Sequence, residues 1–125
     1  MRITRQIRTL PGIAGLALSL GLGALALPVA ANVADTIKRT GLTQDDINVM
    51  SSTAAELYQT GTPQVGRTSA WSNPDTGARG EATLTGFASN CADIRHVVFT
   101  QRRPEAQQFV FRNCKTADGN WVLSP

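Results

Sequence analysis

The sequence predicts an α+β domain: one or two amino-terminal helices packed on a four-stranded antiparallel sheet, stapled by one disulfide. Three observations lead there. Residues 32–60 place their apolar side chains at helical spacing. From Ser69 onward the pattern alternates and is punctuated by turn residues. The only two cysteines, Cys91 and Cys114, both lie in that alternating half. The chain therefore divides into a leader at 1–31, a helical segment at 32–60 and a β domain at 61–125, which the helix at 43–58 completes.

The leader reads as a secretory signal peptide. Arg2, Arg5 and Arg8 precede an uncharged run from Leu10 to Ala31, Pro28 breaks the helix, and Val29-Ala30-Ala31 offers small residues for cleavage before Asn32. Without an Arg-Arg pair the general secretion route is expected, and without a cysteine near the junction lipoprotein processing is not. The rival reading is an uncleaved anchor. The run is long enough to span a bilayer, and Gly15, Ser19 and Gly23 are spaced for close helix packing. The proline and the small-residue site favour cleavage.

Removing the leader leaves nine basic against nine acidic residues. The whole-chain pI of 9.4 then says little about partners, and a global case for nucleic-acid binding disappears. Residues 32–125 form one small domain with a limited core. In an oxidising compartment an isolated cysteine pair is expected to join. Closing a loop of about 24 residues restricts the unfolded chain by roughly 3 kcal/mol in the entropy model. Two thiols and one histidine are too few for a structural zinc site.

Val33 and Ile37, four apart, open a short helix that carries Lys38 and Arg39 near its end and stops at Gly41. Thr43 caps the next helix, and Thr43-x-x-Asp46 approximates a capping box, with Asp shorter than the preferred Glu. Ile47, Met50, Ala54, Leu57 and Tyr58 form its apolar stripe, which reads as core packing. A Gly-, Thr- and Pro-rich connector follows.

The first two strands meet across Asn73-Pro74-Asp75-Thr76-Gly77. Pro74 presets the first corner of a type I turn, Asn73 caps it, and Gly77 takes the positive φ that returns the chain. The second strand alternates Arg79, Glu81, Thr83 and Thr85 with Ala78, Gly80, Ala82 and Leu84, so its inner face is small and Trp71 is the candidate to pack on it. The next two strands run from Asn90 and to Cys114. Facing Cys91 with Cys114 also faces Asp93 with Arg112, Arg95 with Val110 and His96 with Phe109, so two features agree on one register. A two-residue turn at Arg102-Arg103 would force positive φ on both arginines, which leaves room for a longer loop and a slight slip. Ile94, Val98, Phe109 and Phe111 share one face, and Val97, Phe99 and Val110 the other. Such a sheet is expected to be covered on both sides, by the helix and by sheet curling or another subunit. Asp118-Gly119 then turns the chain into a short segment of strand, Trp121 to Leu123.

Nothing in this pattern carries catalysis, a cofactor or a metal. His96 is the only histidine, and Asp93, three residues away on a strand, points to the opposite face. A small cell-wall hydrolase would need it; a structural role is the expectation. The serines sit in no nucleophile context. Arg95, Arg102, Arg103, Arg112 and Lys115, against Asp93 and Glu105, give residues 93–115 a local charge of +3, while residues 32–60 carry −2. This basic hairpin reads first as a solvated edge. Its functional version is attraction to anionic envelope polymers, to another envelope protein, or to the acidic helical half of a second copy in a homodimer.

The ordered set Trp71-x-Asn73-Pro74-x-Thr76-Gly77-x-x-Gly80, then Cys91, then Cys114-Lys115-x-x-Asp118-Gly119-x-Trp121 resembles the carboxyl-terminal domain of the 17-kilodalton outer-membrane surface antigen family. The resemblance covers about residues 50 to 123. It implies an exported, non-enzymatic β-rich domain of the cell envelope, a binding or structural module, in which both tryptophans and both cysteines are architectural. The chain departs from relatives that are lipoproteins with a glycine zipper: it has neither a lipobox cysteine nor a zipper after the leader. A form in the periplasm, or associated with the outer membrane or cell surface, is therefore expected, with no membrane span after cleavage. The alternative is a periplasmic inhibitor or ligand-binding protein that presents the Arg102-Arg103 hairpin.

Overall fold

The computed structural model describes residues 29–124. Most of the expected leader lies outside the described residues. Helix α1 spans Val29–Thr40, so the expected junction before Asn32 falls in its first turn, and α2 spans Gln44–Tyr58. Five strands follow: β1 (Thr68–Asn73), β2 (Ala78–Ala88), β3 (Cys91–Phe99), β4 (Gln107–Lys115) and β5 (Trp121–Ser124). They form one antiparallel sheet in the order β1-β2-β3-β4-β5, a meander in which each strand pairs with its chain neighbour. Among the described residues no helix is long and apolar enough to cross a membrane.

The sheet thus has five strands, not four. The segment after Asp118-Gly119 is a full member, pairing Trp121 to Ser124 with Lys115 to Arg112. Four residues are short for a strand, but Trp121 anchors this one, its ring centroid 4.7 Å from that of Tyr58 on α2.

Both helix ends follow from local chemistry. Gly41 closes α1 at φ +79°, a conformation that costs a glycine little. Thr43 caps α2 with a complete capping box: its hydroxyl accepts from the Asp46 N–H, and the Asp46 carboxylate accepts from the Thr43 N–H. The helix then lays Met50, Ala54, Leu57 and Tyr58 on the sheet. Met50 packs with Trp71, Ala78 and Val98. Ala54, Leu57 and Tyr58 pack with Ala82, Leu84, Ala92 and Ile94, and Trp121 closes that end. Full burial of Met50, Leu57, Leu84, Ile94 and Val98 contributes about 2 kcal/mol each. The alanines and Gly80 let the helix and the Trp71 indole approach the strands closely. A Cβ at Gly80 would lie 2.9 Å from Trp71 Nε1 and 2.4 Å from the Val97 carbonyl oxygen.

The register of β3 and β4 is the expected one, with Cys91 opposite Cys114, Asp93 opposite Arg112 and His96 opposite Phe109. It holds without a slip because the connection is not symmetric. Thr100 and Arg103 exchange backbone hydrogen bonds of 3.0 and 3.2 Å, so the corner falls on Gln101 and Arg102 rather than on Arg102-Arg103. Residues 104–106 then bulge out before β4 begins, and neither arginine takes a positive φ. Positive φ falls instead on Ser89 (52°) and Asn90 (60°), the two-residue turn between β2 and β3.

Among the described residues, helix α2 packs on only one face of the sheet. On the other, Val97 and Phe99 are half-buried and Val110 is 57% exposed. Polar side chains lie along this face: the Arg79 guanidinium stacks 4.2 Å above the Phe99 ring, and Arg112 pairs with Asp93.

Candidate functional site

The Asp46 carboxylate is 1% exposed and accepts three hydrogen bonds. Its Oδ2 belongs to the cap of α2. Its Oδ1 accepts from Asn73 Nδ2 at 2.8 Å and from Thr76 Oγ1 at 2.5 Å, both in the β1–β2 turn. The turn is also tied within itself. Asn73 Oδ1 accepts from the Asp75 N–H, the Thr76 hydroxyl accepts from the Ala78 N–H, and the Asn73 carbonyl accepts from the N–H groups of Thr76 and Gly77. Gly77 takes φ +73° as expected. Burial alone would push the Asp46 carboxyl up; the hydrogen bonds from Thr76, Thr43 and Asn73 outweigh it and hold the group below the usual carboxylate range. Asn73 and Thr76 thus act as donors that lock a helix onto a turn.

The other residues of the expected structural motif lie in turns or in the sheet. Pro74 sits at the exposed first corner of this turn. Trp71 lies over Gly80, its register partner. Gly119 takes φ +86° beside Asp118, and Trp121 packs on Tyr58 and Phe87. Cys91 and Cys114 form a disulfide with Cα atoms 4.0 Å apart. The Lys115 N–H donates to the Asn90 carbonyl at 2.7 Å, which frames the cysteines as a non-hydrogen-bonded pair.

The expected basic surface separates into parts. Arg112 Nε and Nη2 grip both oxygens of Asp93, at 2.7 and 3.2 Å, holding that carboxyl below its usual range. Arg95 stands exposed on the uncovered face, and Lys115 sits at the far end of β4, beside the disulfide. Arg102 and Arg103 instead join Lys38 and Arg39 from the end of α1, around Gly41. The earlier pair was legible only as a helix-end preference; its convergence with the loop was not.

His96 is 3% exposed, stacked on Phe109 with ring centroids 5.2 Å apart. It borders a cavity of about 100 Å³ between the helices and the sheet, beside Met50, Ala54, Tyr58, Phe111 and Leu123. Its Nδ1 has no hydrogen-bond partner, and burial pushes its pKa down to about 4. Asp93 points to the other face, where Arg112 occupies it. Among the described residues no group of three or more His, Cys, Asp or Glu could hold a metal ion.

Fold and site together define a small α+β meander: one antiparallel sheet, a helix locked to it through a buried carboxylate, and a disulfide across two neighbouring strands. No family model, no curated protein and no solved structure matches the chain.

Proposed function

We propose that the chain is an exported cell-envelope domain of the surface-antigen kind, acting without catalysis as a binding or structural module. The observation that carries this reading is the Cys91–Cys114 disulfide between β3 and β4. Such a bond persists outside the reducing cytosol, and the charged, apolar, small-residue order of residues 1–31 supplies the route there. The motif that resembles the surface antigens is spent on fold: Trp71 on Gly80, Asn73 and Thr76 on Asp46, Trp121 on Tyr58. His96 supports the non-catalytic side of the reading, being enclosed, held neutral and turned away from Asp93.

The test is mass spectrometry of native protein recovered from fractionated cells. The expected result is a chain beginning at Asn32, with one intramolecular disulfide, in the periplasmic or outer-membrane fraction. A chain that keeps its leader and carries two free thiols would remove the reading.

A further inference from the structure

We infer that Lys38, Arg39, Arg102 and Arg103 form a binding site for phosphate groups carrying two or more negative charges. The four cations come from two elements far apart in sequence and surround a polar concavity of about 260 Å³ floored by Gly41. At roughly 30 Å³ per water, that space admits a diphosphate or a phosphorylated headgroup.

The concavity is built rather than incidental. The Thr40 carbonyl, at the end of α1, accepts from Thr100 Oγ1 at 2.9 Å and from Gln107 Nε2 at 3.1 Å, which fastens the helix end to the residue after β3 and to the first residue of β4. Thr40 and Thr100 are both buried. The Thr100–Arg103 backbone pair holds the loop corner. Gly41 then brings the two basic pairs together. A Cβ there would lie 3.3 Å from Arg102 Cβ and 3.2 Å from Thr100 Oγ1, so the Arg102 stem rests against bare backbone.

The fixed dipole of α1 accounts for Lys38 and Arg39, since cations favour a helix carboxyl end. It does not account for two further arginines delivered to the same place by a loop. Among the described residues the one ion pair is Arg112 with Asp93, so none of the four has a carboxylate in salt-bridge contact there. A multivalent anion seated in the concavity would be attracted to all four cations at once. Arginine forks suit phosphate oxygens, which accept two parallel hydrogen bonds. The helix end presents carbonyls rather than N–H groups, so the side chains carry the recognition.

Calorimetric titration of the oxidised protein with inorganic pyrophosphate at low salt tests this, alongside sedimentation with vesicles bearing a phosphate-monoester lipid and with neutral vesicles. Saturable one-to-one binding is expected, weakened at least tenfold in Arg102→Gln/Arg103→Gln, severalfold in Lys38→Gln/Arg39→Gln, and not at all in Arg95→Gln. Unchanged melting midpoints check that the variants fold. Binding to pyrophosphate alone would assign a soluble phosphate ligand, and binding to the phosphate-bearing vesicles a lipid headgroup. No saturable binding to either, or an equal loss in Arg95→Gln, would overturn the inference. Its failure leaves the export reading intact, and free thiols in native protein leave this site intact.

Discussion

Replacing Asp46 by alanine removes acceptors from three donors at once: the Thr43 N–H at 2.9 Å, Asn73 Nδ2 at 2.8 Å and Thr76 Oγ1 at 2.5 Å. A lost cap alone costs about 1 kcal/mol. A hydrogen bond to a charged group contributes about 1.5–3 kcal/mol, and an orphaned buried donor costs its desolvation. Asn73 is 6% exposed, so water cannot replace its bond; Thr43 and Thr76 are more accessible and are discounted. The sum is about 3–5 kcal/mol for Asp46→Ala. Asp46→Asn keeps the shape but turns an N–H₂ toward one of the donors, for about 2 kcal/mol. Urea unfolding of the oxidised protein measures both, provided the denaturant slope does not change. The carboxyl is held below its unfolded value, so the folded state binds fewer protons. Its contribution is full above about pH 5 and is lost as pH falls through the folded pKa. The deficit of Asp46→Ala should therefore shrink at low pH. A deficit near 1 kcal/mol that is independent of pH would mean that the carboxylate only caps α2, and the helix-to-turn lock would be refuted.

Four other outcomes are expected. Gly80→Ala should destabilise by about 2–3 kcal/mol, because its Cβ meets the Val97 carbonyl oxygen and the Trp71 ring; a silent variant would show that the β2–β3 backbone and the indole can both shift. Ser89→Gly should stabilise by roughly 1 kcal/mol, since a serine at φ 52° pays a left-handed penalty that glycine avoids, readable as a rise in melting midpoint. His96, with its pKa lowered from 6.5 to about 4, makes protonation favour the unfolded chain. Stability should fall by about 3 kcal/mol as pH drops from 7 to 4, and His96→Phe should flatten that slope between pH 6.5 and 4.5. Reducing Cys91–Cys114 should lower stability by about 3 kcal/mol in equilibrium unfolding, and a loss below 1 kcal/mol would count against its role as a staple.

Where interactions are short in sequence or repeat along a paired strand, they were readable in advance. Thr43 with Asp46, Gly41 at the end of α1, and Asn73 to Gly77 as a turn each involve residues within four positions. The β3–β4 register was readable because one alignment satisfies both a cysteine pair and an acid–base pair. The position of the loop corner was not, because the backbone moved the turn one residue to spare two arginines positive φ. What lies over the second sheet face within the chain was not readable either, for a related reason. Alternation reports which residues share a face; it does not report that Arg79 and Arg112 can lie over that face themselves.

By itself the sequence determined the class of fold, the caps, two of the four turns between strands and the pairing of the two cysteines. These depend on local dihedral preferences and on the two-residue period of a strand, both of which are written in neighbouring letters. Tertiary structure alone decided that Asp46 would meet Asn73 and Thr76, 27 and 30 residues away, and that Thr40 would meet Thr100 across 60. Those meetings depend on how far a helix slides along a sheet before its Met50 and Leu57 side chains seat. Only the packed core sets that distance.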